Sequence, residues 1–183
     1  MTSPSLSKER GAWTSCPDMR NGKTKRLTTL AVSVAASMML SFIESRIPPL
    51  VAVPGVKMGL ANIAVIFTLF KLGPWQAVAV SLVRVLLSAM LFGSPVSMLY
   101  SLAGAVLSLT VMILLSRVKI FGTVGVSVAG GVMHNVGQIT VASIIMETAV
   151  IVLYLPALII SGTLAGIAIG VAGALLVKKV NIK

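Results

Sequence analysis

Residues 27–45 read LTTLAVSVAASMMLSFIES, an apolar run whose one charged residue, Glu44, stands at its far end. A bilayer-spanning helix needs about 20 mostly apolar residues, so this run is the first membrane span. Arg46 follows, and Pro48-Pro49 then stops the helix, because proline lacks the amide donor and disfavours helix just before it. Upstream, residues 1–26 (MTSPSLSKERGAWTSCPDMRNGKTKR) are polar and basic with no apolar period. They are expected to form a flexible cytoplasmic tail, leaving residues 27–183 as one transmembrane domain.

Composition extends that reading to the whole chain. Of its 183 residues 57% are hydrophobic and 10% charged, against about 25% charged in soluble domains. A chain so poor in charge cannot cover a water-facing surface, which excludes soluble enzymes, disordered proteins and disulfide scaffolds. The lone Cys16 can form no internal disulfide. The formal charge of +11 points to loop anchoring in a membrane protein rather than to nucleic acid.

The remaining spans follow from the same criterion. Residues 50–70 are apolar but interrupted by Pro54-Gly55 and Lys57, and 59–70 alone is too short to cross. Interrupted segments of this kind bury their irregular backbone in protein or against a water-filled cavity. Residues 74–92, 95–116, 120–146 and 149–177 complete an all-α bundle of about six transmembrane helices, with Pro156 a candidate kink in the last. With the N-terminus inside, the inner segments hold 12 of the 15 Lys and Arg residues. The positive-inside rule therefore predicts a multi-pass cell-membrane protein with both termini cytoplasmic.

That topology gathers the polar groups into one layer. Glu44 ends the first span, Lys57 and Asn62 flank the start of the second, Arg84 lies near the middle of the third, and His134, Asn135 and Gln138 lie on the fifth. Spacing places several on common helix faces: Ser33, Ser37, Ser41 and Glu44; Ala77, Ser81, Arg84 and Ser88; Gly130, His134 and Gln138. An ionisable side chain in a bilayer is costly and faces the bundle interior or a cavity. An outward-facing ligand pocket lined by Glu44, Lys57, Asn62, Arg84, His134, Asn135 and Gln138 is therefore expected. Competing structural roles remain open. Arg84 can serve as glue by pairing with Glu44 or backbone carbonyls, and His134 as a hydrogen-bonded packing residue. Lys57 can snorkel to the interface. The stripe Gly162, Gly166, Gly170, Ala174 and the pair Ala31, Ala35 allow close helix approach.

Several chemistries have no motif here. There is no P-loop, H-E-x-x-H or G-x-S-x-G signature, and no Asp-rich motif to hold magnesium on a diphosphate. No catalytic residue, metal site or cofactor is expected, so active movement of a ligand would need energy from a partner or an ion gradient.

Five segments in order carry a family resemblance: Glu44-Ser45, PGVKMGLAN at residues 54–62, SLVRVLL at 81–87, YSLAG at 100–104 and GVMHNVGQ at 131–138. Over roughly residues 27–177 the chain resembles the bacterial Gx transporter family, also called heptaprenyl diphosphate synthase component I. That fold is similar to the six-helix substrate-binding S component of energy-coupling factor (ECF) transporters. The resemblance implies a small polar or anionic ligand held in the outer half under a lid, here residues 47–57. It implies docking of Ala31 and Ala35 on a transmembrane scaffold protein coupled to ATPase subunits. The synthase name implies instead a non-catalytic membrane accessory subunit of prenyl diphosphate synthesis.

Overall fold

The computed structural model describes residues 19–46, 59–118 and 120–180, which form α-helices joined by short turns, with no strand among them. The helices are α1 Met19–Arg46, α2 Asn62–Lys71, α3 Pro74–Phe92, α4 Pro95–Ser116, α5 Thr123–Ile145 and α6 Leu155–Lys179. A 3₁₀ helix, Ala149–Tyr154, leads into α6.

Local chemistry sets most of these limits. Pro74 and Pro95 occupy the first turns of α3 and α4, where a missing amide costs nothing and φ is preset for helix. Ser94 caps α4 by accepting from the Ser97 amide at 3.2 Å. Gly73, at φ +112, turns the chain between α2 and α3 through a backbone region that side chains disfavour.

Three boundaries differ from the sequence reading. Helix α1 starts at Met19, inside the segment expected as tail, since Lys and Arg propagate a helix well and no proline interrupts residues 19–46. The second span is replaced, in its described part, by the 10-residue α2. At 1.5 Å per residue it rises about 15 Å, half the hydrocarbon thickness. The lid assigned to residues 47–57 lies outside the described residues. Finally, Pro156 does not kink a continuous helix. It sits in the first turn of α6, after the 3₁₀ helix.

Among the described residues five helices are long and apolar enough to cross a membrane: α1, α3, α4, α5, and α6 together with its 3₁₀ lead. They expose large apolar residues such as Leu27, Met90, Leu114, Ile144 and Leu164, the pattern of a surface solvated by lipid. Helix α5 is the hub, packed chiefly against α4 and α6. Gly130 and Gly137 of α5 face α4, Gly131 faces α6, and Gly162, Gly166 and Gly170 of α6 face α5. The expected glycine stripe is thus a packing surface within the chain. One apolar cluster (Val65, Ile66, Leu69, Ala77, Leu109, Met112, Val126, Ile169) binds α2 into the bundle. A second (Tyr100, Ile139, Ala142, Ile151, Leu158) lies where α4 begins and α5 ends.

Candidate functional site

At that second end a polar recess opens between α1, α3, α4 and α5. Its described walls are Ser41, Glu44, Gly59, Arg84, Val85, Ser88, Ala89, Ser97, Ser101 and His134. Helical spacing supplies each wall. Ser33, Ser37, Ser41 and Glu44 form the buried face of α1, and Ala77, Ser81, Arg84 and Ser88 that of α3.

Within the recess, Glu44 Oε1 accepts a hydrogen bond from the Gly59 amide. This ties the end of α1 to the approach to α2. Gly59 has φ +81, and a Cβ there would lie 3.2 Å from Asn62 Nδ2 and 3.9 Å from His134 Cδ2. The positive φ favours glycine, and an added Cβ would press on Asn62. Arg84 is 6% exposed, and its Nε has no hydrogen-bond partner among the described residues. The space is nearly filled: positions open to the centre of a water molecule total about 20 Å³, room for about one water.

The structure brings Glu44, Arg84 and His134 together on the recess, with Asn62 beside Gly59 at its edge. Lys57 lies outside the described residues. Asn135 is directed elsewhere: its Nδ2 donates to the Leu158 carbonyl of α6 at 2.8 Å. Adjacent helical residues point about 100° apart, so His134 and Asn135 cannot share one face. Gln138 is fully buried, with its Cγ beside Gly104 and both amide atoms without hydrogen-bond partners among the described residues, and it is not among the described walls of the recess. Ser97 and Ser101 do line it, although sequence reasoning did not select them. Their only signal was four-residue spacing at the start of α4, a pattern common in membrane helices.

A tethering role for Asn135 has a measurable consequence. Asn135→Ala should lower stability by about 1 kcal/mol, the scale of an interhelical hydrogen bond in a membrane, seen as a lower unfolding midpoint in detergent. Weaker ligand binding at unchanged stability would return Asn135 to the binding site.

The chemistry available is recognition: a buried guanidinium, an imidazole, serine hydroxyls and one carboxylate. Arginine presents a rigid fork of donors suited to carboxylate or phosphate oxygens. Among the described residues no group of three or more His, Cys, Asp and Glu is placed to hold a metal ion.

Comparison with curated proteins and with solved structures gives no match. A family model described as heptaprenyl diphosphate synthase component I matches residues 33–176, from the buried face of α1 to the end of α6. Its span covers every described element that builds the recess, and the chain, a membrane protein by its long apolar helices, belongs to the heptaprenyl diphosphate synthase component I family.

Proposed function

We propose that this protein is the ligand-capturing membrane subunit of a transport complex. It would take up a small molecule bearing a polar or anionic group from the outer side and rely on a partner module for energy. The observation that carries the reading is Arg84, a guanidinium buried in the recess with its Nε donor unsatisfied. An unmet buried donor costs about 1–3 kcal/mol, more when charged, and an incoming oxyanion would recover that loss. Arg84 is the anchor; His134, Ser97 and Ser101 supply directional contacts; Glu44 holds the Gly59 approach closed. Because the recess admits about one water, binding requires the Gly59 side to open. Lys57, Asn62 and Gln138 are kept as candidate contacts of the opened site.

Supporting a partner, Ala31 and Ala35 are exposed on α1, while Ser33, Ser37, Ser41 and Glu44 of the same helix are buried. Small residues on a lipid-facing helix let another helix approach closely, as docking on a scaffold protein with ATPase subunits would require. The test pairs two variants in lipid nanodiscs. Arg84→Ala should abolish binding of methyl phosphate in calorimetric titration while membrane yield remains measurable. Replacing Ala31 and Ala35 by Leu should leave that binding intact and remove co-purification with a scaffold protein. Undiminished methyl phosphate binding in Arg84→Ala would overturn the assignment.

The family name favours a second reading, a non-catalytic membrane accessory subunit of heptaprenyl diphosphate synthesis. Affinity purification separates the two. Recovery of a prenyl-elongating enzyme, rather than a scaffold with ATPases, would select the accessory role.

A further inference from the structure

A second cavity lies on the outside of the same wall. Met38, Met39, Phe42 and Ile43 of α1 and Leu91 of α3 line a wholly apolar trough of about 360 Å³. Met39, Phe42, Ile43 and Leu91 are exposed, so the trough is open to the lipid-facing surface, with room there for part of a molecule. By the same measure the polar recess offers about 20 Å³. A hydrogen bond joins a residue of each lining: Ser88 Oγ, in the recess, donates to Met38 Sδ, in the trough, at 3.7 Å. Neither partner is a rigid barrier. A serine hydroxyl rotates freely, and methionine is the most adaptable of the apolar side chains.

We propose that the recess and the trough are two halves of one site, and that its ligand is an anion carrying a short apolar tail. The head meets Arg84 while the tail passes between Ser88 and Met38 into the trough. This rests on the anion-binding reading of Arg84 above and adds the class of molecule bound. Charge complementarity assigns the head, because a buried guanidinium with an open donor selects an oxyanion. The Ser88–Met38 contact, which sets the two linings side by side, assigns the tail. The trough also limits tail length. From Met38 to Ile43 the helix rises about 7–8 Å, so a longer chain would simply leave the trough for the bilayer.

Such a ligand explains why the polar side has so little room: the bulk of the molecule sits elsewhere. The head still needs the Gly59 side of the recess to open, because the recess itself admits about one water.

The test is a chain-length series in nanodiscs of zwitterionic lipid, using methyl, hexyl and dodecyl phosphate with hexanol as the uncharged control. Hexyl phosphate should bind at least about tenfold more tightly than methyl phosphate, since each buried methylene contributes appreciably. Dodecyl phosphate should add little beyond hexyl. Filling the trough with Met39→Trp and Leu91→Trp should reduce hexyl phosphate to the methyl phosphate level. Hexanol should show no binding that the filled trough removes. Equal affinities for methyl and hexyl phosphate would overturn the proposal while leaving Arg84 as an anion site. So would a hexyl advantage that survives trough filling, since it would report partition into lipid. Absence of methyl phosphate binding altogether would instead sink the anion site and the two-part site with it. If the tryptophan variant fails to fold, protein-free nanodiscs of the same lipid measure partition directly, and a hexyl advantage equal to theirs would overturn the proposal.

Discussion

An alanine at Gly131 is expected to cost about 2–3 kcal/mol of stability, at the upper end for overpacking a filled interior, and a leucine there should leave no folded protein to extract. In lipid there is little hydrophobic drive between helices, so close van der Waals packing holds them together. A Cβ on Gly131 would lie 2.6 Å from the Gly162 carbonyl oxygen, and one on Gly166 would lie 2.6 Å from Val128 Cα. One on Gly170 would lie 2.7 Å from Val124 Cα. The obstructing atoms are backbone and cannot rotate away, so α5 and α6 would have to separate along their contact. Gly173 differs: its added carbon would meet the Ile66 side chain at 3.0 Å, which can shift. Gly122 meets nothing within 4 Å. The expected order of loss is therefore Gly131→Ala, then Gly173→Ala, then Gly122→Ala close to wild type. Size-exclusion profiles and thermal midpoints after extraction would rank them. A wild-type midpoint for Gly131→Ala would contradict the packing of α5 on α6.

How far the sequence was legible depends on the kind of signal at each position. Helices α3 and α4 run over the residues their apolar runs indicated, because proline opens each one, and Gly93 and Arg117 follow their ends. The second segment was legible in part, since residues 59–70 already read as too short to cross. Its apolar content is enough to span, but Gly59 at positive φ and the turn at Leu60-Ala61 leave α2 only half a membrane long. Pro156 was ambiguous for a related reason: proline fits the first turn of a helix as well as a kink, and only neighbouring contacts decide. Glu44, Arg84 and His134 were legible as recess residues because ionisable groups in a bilayer are costly and face the bundle interior or a cavity. Depth alone grouped Asn135 with them, yet rotation about the helix axis turns it toward α6. The trough beside Ser88 was not legible at all, since Met38, Phe42 and Leu91 look like any lipid-facing residues until α1 and α3 are placed together.

Neutralising Glu44 should give the most informative result at the site, because stability and affinity are expected to move in opposite directions. Glu44 and Arg84 are buried and line the same recess, a carboxylate and a guanidinium of opposite charge. Removing one member of a buried charge pair typically costs about 3–5 kcal/mol, since the other charge is left uncompensated. Glu44→Gln is the clean substitution. A glutamine oxygen can still accept from the Gly59 amide, so the tie made by Glu44 Oε1 survives while the charge is removed. The unliganded protein should become less stable by an amount of that order. Methyl phosphate should bind about tenfold more tightly, the worth of one charge-assisted contact, because it would then be the counter-charge that Arg84 lacks. Adding Arg84→Gln should restore part of the stability and remove the binding, so the two substitutions should be strongly non-additive. Chemical unfolding and titration of the four proteins in one cycle would measure both quantities. Additive stability losses would mean that Glu44 and Arg84 act independently. Weaker phosphate binding in Glu44→Gln would mean that the carboxylate shapes the site for the ligand instead of competing with it.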